Sequence, residues 1–157
     1  MPTKGDQNLT DLFDLIEYPL TFRMTYLVNS IVFPARADIK RDFGLVRAEY
    51  ILLLCLFHFD DLTAQDVATM SRRPRNTISR AVHRMLDEGY LERSPHPTDG
   101  RQARLRITDA GRAMHNDISA YLIRQQDHVL DGLDSDERAT LSALLKKAAL
   151  HAARQDT

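Results

Sequence analysis

The period of the apolar residues changes twice between Leu62 and Thr108, and few folds accommodate that order in so short a stretch. The segment opens on Thr63, whose hydroxyl suits a helix N-cap, with Asp66 three positions on to approximate a capping box at the positive end of the helix dipole. This short helix is expected to end near Met70. A turn follows through Ser71, Arg72 and Arg73, and Pro74 falls where a new helix tolerates a missing N–H, in its first turn. Ile78, Val82, Met85 and Leu86 then recur at i, i+4, i+7 and i+8, the buried stripe of a second helix that Gly89 stops. Beyond Gly89 the period drops to two. Tyr90 to Arg93 reads as one strand and Ala103 to Ile107 as its partner, with Leu105 and Ile107 on one side and Arg104 and Arg106 on the other. Between them, Pro95 to Arg101 is rich in turn formers and reads as an exposed loop. A short helix, a turn, a polar-faced helix and a basic hairpin make a winged helix-turn-helix at residues 62–108.

The stripe on the second helix fixes what its other face carries. At about 100° per residue, Asn76, Arg80 and His83 project away from the apolar side, flanked by Arg75, Thr77, Ser79 and Arg84. Asn pairs bidentately with adenine and Arg with guanine, while Ser and Thr hydroxyls suit phosphate oxygens. The charge distribution points the same way, although the net charge of −1 does not. From Arg72 to Arg106, nine arginines face four carboxylates, which leaves that segment five positive and the remainder six negative. Every cation in it is arginine, whose planar fork matches phosphate and the guanine edge. Arg73 in the turn and Arg104 on the hairpin extend the basic face.

The rest of the chain is helical. Apolar residues from Leu9 to Ile31 recur at irregular helical spacing, with Pro19 expected to break or kink the run into one short and one longer helix. After the turn signal Asp42-Phe43-Gly44, Val46 to Phe59 is apolar nearly all round and is expected to be a largely buried helix. Asp109 to Leu130 and Asp134 to Ala153 are two further helices, the second with Asp134 as cap and Glu137 completing the box. The fold class is therefore mainly α with a small β-hairpin wing, a single domain over 157 residues. No apolar run is long enough to span a bilayer and the first ten residues lack a signal-peptide core, so a cytoplasmic location is expected, with no membrane partner.

Other chemistries find little support in the sequence. There is no nucleophile elbow, phosphate loop, dinucleotide fingerprint or paired metal ligands, so an enzyme is not expected, nor a cofactor. The single cysteine, Cys55, sits within Ile51-Leu52-Leu53-Leu54-Cys55-Leu56-Phe57 and is expected to be an inert core residue. The six histidines (58, 83, 96, 115, 128 and 151) show no i, i+4 ligand spacing, even though Asp60 and Asp61 follow His58, and no metal site is expected. The alternatives are a redox- or metal-responsive regulator of the same fold, or a winged helix used for protein contacts.

Several strings together resemble the MarR (multiple antibiotic resistance regulator) family of bacterial regulators over nearly the whole chain: Leu62-Thr63-Ala64-Gln65-Asp66-Val67-Ala68, Asn76-Thr77-Ile78-Ser79-Arg80-Ala81-Val82, and Leu86-Asp87-Glu88-Gly89-Tyr90. Asp99-Gly100-Arg101 looks like the family's wing motif, and Leu105-Arg106-Ile107-Thr108-Asp109-Ala110-Gly111 like its wing-to-helix junction. Phe43-Gly44-Leu45 and Glu49-Tyr50 match the entry into an earlier helix. The chain departs from the family at Arg72, where a turn glycine is frequent, and at Tyr50, where tryptophan is common.

The resemblance implies that residues 75–84 lie in the major groove of duplex DNA and that Arg101 enters the adjacent minor groove, oriented by Asp99. It also implies a homodimer formed by helices within 9–34 and 109–153, which carry more apolar surface than the winged module needs. Such a dimer would present two recognition helices to half-sites about 10 bp apart on a pseudo-palindromic operator. A repressor is expected, since a dimer covering an operator excludes polymerase. The family's small-molecule effectors, often anionic aromatics, imply a crevice to which Arg23, Tyr26, Asn29, Arg47 and Tyr50 could contribute a carboxylate clamp and a stacking ring.

Overall fold

Two prolines punctuate the N-terminal helices, and neither interrupts one. In the computed structural model, which describes residues 4–95 and 103–155, α1 spans Lys4–Leu15 and α2 Pro19–Phe43. Pro19 is the first residue of α2, where its fixed φ suits the helix and no N–H is missed. Pro34 lies inside α2, which runs through it without the bond a residue there would donate to the carbonyl four positions back. The helix therefore passes the expected limit at 34 and ends at Phe43, before Gly44 in the left-handed region (φ +69°).

The chain divides into two compact units, one of the residues up to Ile31 with those from Arg124 onward, the other of Val32–Ile123. Helix α3 (Arg47–His58) forms the centre of the second unit, with Leu52, Leu53 and Leu56 fully buried. It is less uniformly covered than its sequence implies, because Leu54 remains 45% exposed. Helix α4 (Ala64–Ser71) starts at the expected cap: the Thr63 hydroxyl accepts the Asp66 N–H at 3.1 Å and the Asp66 carboxylate accepts the Thr63 N–H at 2.8 Å. Arg72 then takes the left-handed conformation (φ 51°), which glycine adopts freely and an L side chain only under strain.

Helix α5 (Arg75–Asp87) has Pro74 as its N-cap rather than in its first turn, and buries Ile78, Ala81, Val82 and Met85. The left-handed Gly89 (φ +76°) ends the run. Strand β1 (Leu91–Pro95) pairs antiparallel with β2 (Ala103–Ile107), Leu91 opposite Ile107 and Pro95 opposite Ala103, so β1 starts one residue later than expected and takes in Pro95. The Leu105 N–H also donates to the Leu62 carbonyl at 2.8 Å, tying the hairpin to the residue before α4. Leu105 and Ile107 are buried and Arg106 is exposed, in the alternation the sequence predicts.

Helix α6 (Asp109–Val129) leaves the hairpin through Thr108, whose hydroxyl donates to the Gly89 carbonyl at 2.7 Å and accepts the Gly111 N–H at 3.1 Å. Gly111 has no room for a side chain: a Cβ there would stand 2.3 Å from the Tyr90 carbonyl oxygen. Helix α7 (Ser135–Gln155) begins with the expected box, Asp134 accepting from the Glu137 N–H and Glu137 from the Asp134 N–H. Neither α1 nor α7 buries a single residue in the lone chain.

Candidate nucleic-acid interface

The outward face of α5 is set by the burial of its other side. With Ile78, Val82 and Met85 in the core, Arg75, Asn76, Arg80 and His83 stand exposed, and Thr77 and Ser79 are half-buried along the edge. Asn76 meets only its neighbour, the Thr77 hydroxyl, at 3.5 Å. Among the described residues, Arg75, Arg80 and Arg93 have no carboxylate partner, so their guanidinium donors face solvent. A shallow cavity of about 220 Å³ joins this face to the hairpin, lined by Gln65, Arg75, Ser79, His83, Arg93 and Ala103 among others. Residues from the start of α4, the exposed face of α5 and both strands thus share one polar, basic concavity.

Arg84 requires a correction. It was expected beside the DNA-facing residues, yet both Glu49 oxygens accept from its Nη1 at 2.9 Å and the Gly44 carbonyl accepts from Nη2 at 2.9 Å. Its Nε is 3.5 Å from Glu88. The cause is Glu49, buried in α3, whose carboxylate also takes the Val46 N–H at 2.7 Å and would otherwise lack a cation. The Glu49 carboxylate raises the proton affinity of Arg84. This guanidinium joins the start of α3 to the end of α5.

Arg104 is likewise only half free. Its Nη1 lies 3.7 Å from Asp61 and its buried Nε has no partner. Asp61 mainly serves Arg106, accepting from Nε at 2.6 Å and from Nη2 at 3.0 Å, and the Arg106 hydrogen bond holds its carboxyl below the ordinary range. Asp61 adopts a left-handed backbone (φ 60°) in doing so. Sequence reasoning overlooked Glu49 and Asp61 as clamps, and the available signal was an acid at each end of α3 facing an arginine-rich segment.

Arg73 is half-buried, its Nε without a partner, and burial lowers its proton affinity, with Arg47 and Arg36 adding to the effect. Asp99 and Arg101 lie outside the described residues. Of the residues considered for a ligand, Arg23 donates to the Phe13 carbonyl at 2.8 Å and Tyr26 packs edge-on against Phe13 at 5.3 Å, so both are engaged by α1, while Asn29 is exposed on α2. Arg47 and Tyr50 line different cavities. Arg47 faces one beside α2, and Tyr50 a small apolar one with Leu53, His115 and Leu122.

The same neighbourhoods bear on metal and redox chemistry. Asp60 pairs with Arg112 at 3.7 Å and Asp61 with Arg106, while His58 packs edge-on to Phe57 and His115, so the acids following His58 face arginines. Among the described residues no group of His, Cys, Asp and Glu could hold a metal ion. Cys55 is buried and burial raises its thiol pKa, the opposite of what a reactive thiolate needs.

A capped short helix, a polar-faced second helix and a hairpin tied back to the first define a winged helix-turn-helix of the kind that docks on duplex DNA. Residues 45–103 match the model of the MarR family. The chain is 25% identical over 111 residues to the uncharacterised HTH-type transcriptional regulator YybA of Bacillus subtilis, covering 68% of this chain and 71% of YybA. It is 26% identical over 143 residues to the multiple antibiotic resistance protein MarR of Escherichia coli, covering 90% and 97%. In fold it is similar to a MarR transcriptional regulator from Methanosarcina mazei, with a TM-score of 0.77 at 18% identity over 86% of this chain and 96% of that one. The likeness to the MarR family thus rests on residues 45–103, and the chain is similar in fold to a regulator of that family.

Proposed function

We propose that the protein is a homodimeric repressor that reads a pseudo-palindromic operator in duplex DNA and is released by a small-molecule effector. The observation that carries this reading is the exposed face of α5, where Arg75, Asn76, Arg80 and His83 stand without acidic partners among the described residues. Asn76 and Arg80 are assigned to base edges, and Arg75, Thr77 and Ser79 to phosphates, with Arg101 at the wing entering the minor groove beside Asp99. Residues 62–108 form the DNA-binding lobe in this assignment.

Dimerisation through the N-terminal helices and 109–153 is supported by surface that one chain leaves uncovered. Leu15, Leu20, Val28, Leu144 and Leu150 are each at least half exposed, and α1 and α7 bury nothing. Apolar helices of that kind gain about 25 cal/mol for each Å² removed from water, which a second copy supplies. A DNA-directed repressor works in the cytoplasm, and no helix among the described residues is long and apolar enough to cross a membrane.

Selection of bound sequences from a random duplex pool tests the reading. The expected outcome is an enriched pseudo-palindrome whose half-sites are centred about 10 bp apart. Enrichment of no sequence, with binding that depends on salt alone, would overturn it.

A further inference from the structure

One buried histidine has no part in the DNA interface. His115 on α6 is 7% exposed, its ring stacked on Phe57 of α3 with centroids 4.1 Å apart and set edge-on to His58 at 6.0 Å. Its Nε2 lies 3.2 Å from the Ser119 hydroxyl, and with Tyr50, Leu53, Ile118 and Leu122 among others it lines a cavity of only about 40 Å³. The Phe57 ring, whose face attracts cations, already holds the Arg112 guanidinium 5.7 Å from its centroid. The titratable and charged groups gathered around the stack are Tyr50 and His58 from α3, Asp60 just beyond it, and Arg112 from α6. The carboxylate in that set, Asp60, is exposed and pairs with Arg112 at 3.7 Å. A proton added to His115 therefore meets an apolar wall, a second histidine and an arginine. Burial first, and His58 second, lower the proton affinity of His115.

The stack sits where α6 takes hold of the rest of the Val32–Ile123 unit. One turn before His115, Gly111 packs against the Tyr90 carbonyl, and Thr108 bonds the Gly89 carbonyl. The contact of α6 with α3 and the seating of the hairpin thus depend on a few neighbouring residues. We propose that the stack of His115, Phe57 and His58 is an acid-sensitive switch: neutral His115 seats α6 on α3, and protonation draws its ring toward water, loosening that seat and the hairpin with it. The effect on DNA rests on the reading of the protein as a DNA-binding repressor, whereas the titration of His115 does not. An unfolded histidine takes up its proton near pH 6.5 and the buried one only at lower pH. The stability is therefore full above about pH 6.5 and is lost as the pH falls toward the folded value.

Proton NMR of the full chain reads the switch directly. The His115 ring resonances should remain those of a neutral imidazole to a pH below the ordinary histidine value of about 6.5. The melting temperature of the parent should fall by roughly 4 °C for each pH unit below that value, because the unfolded chain binds a proton that the folded one refuses. His115→Phe keeps an aromatic ring on Phe57, gives up the Ser119 contact, and should flatten that dependence. Affinity for a random-sequence duplex at constant ionic strength should drop about fivefold in the parent between about pH 7.5 and about pH 5.5. In the variant it should hold or rise, since protons taken up elsewhere add positive charge facing a polyanion. A His115 that titrates at the ordinary value, or melting that depends on pH equally in parent and variant, would overturn the switch. So would a duplex affinity that responds to acid in the same way in both. Should His115→Phe fail to fold, the resonance titration of the parent decides alone. If His115 titrates low, the melting follows and no duplex is bound at any pH, the acid-sensitive seat stands and the repressor reading falls.

Discussion

Arg80 and Arg84 are one turn apart on the same helix and carry the same charge, yet the structure uses them in opposite ways. Arg80 is exposed with no acidic partner among the described residues, while Arg84 turns inward to the buried Glu49, 35 positions away in the sequence. The hairpin repeats the contrast: Arg93 has no acidic partner among the described residues, whereas Arg106 is held by Asp61, 45 positions away. A count of arginines along the segment therefore overstates the surface available to a polyanion. The arginines split into those that build the platform and those that face outward, and the distant carboxylates decide which is which.

The largest effect that would break this comparison is on stability. Arg84→Met leaves the Glu49 carboxylate, only 5% exposed, with the Val46 N–H and no cation. A buried hydrogen-bonded charge that loses its partner costs about 2 kcal/mol, discounted here because Arg84 itself is 43% exposed. Urea unfolding should show that loss as a lower midpoint at unchanged slope, with duplex affinity preserved where the variant is folded. A variant of parental stability that binds DNA weakly would return Arg84 to the interface.

Arg80→Ala is the mirror experiment and the next in size. It should leave the urea midpoint unchanged and cost about 1 to 3 kcal/mol on the selected operator, with relaxed preference at one base pair. Equal losses on operator and random duplex would place Arg80 on a phosphate instead.

Local signals carried most of the fold. The Thr63 and Asp66 cap, the Asp134 and Glu137 cap, the apolar stripe of α5 and the stop at Gly89 each involve residues within a few positions of one another, so periodicity and capping chemistry expose them. What the sequence concealed depends on contacts between distant segments. Nothing near Arg84 in the chain reveals Glu49 as its partner, and nothing near Arg47 reveals Arg73. The continuation of α2 past residue 34 was likewise not apparent, because a lost backbone bond at Pro34 is tolerated inside the 25-residue helix. The outward face of α5 was legible because one helix defines it, whereas the cavity lined by Arg36, Lys40 and Arg47 was not, because α2 and the start of α3 meet there.

The smallest effect sharpens the comparison on the hairpin. Asp61 holds Arg106 in the charged form, and that hydrogen bond lowers its carboxyl pKa below the ordinary aspartate value. A carboxyl whose pKa is lower in the folded chain contributes stability that is fully present above its unfolded pKa and is lost as pH falls through the folded one. Asp61→Asn should therefore lower the melting temperature at neutral pH by less than Arg84→Met does, and the gap between parent and variant should close as the pH falls below about 4. The variant frees Arg104 and Arg106, so its affinity for random duplex should rise slightly even as the fold loosens. No gap at any pH would mean that Asp61 acts through its left-handed backbone rather than its charge, since asparagine tolerates that conformation equally well.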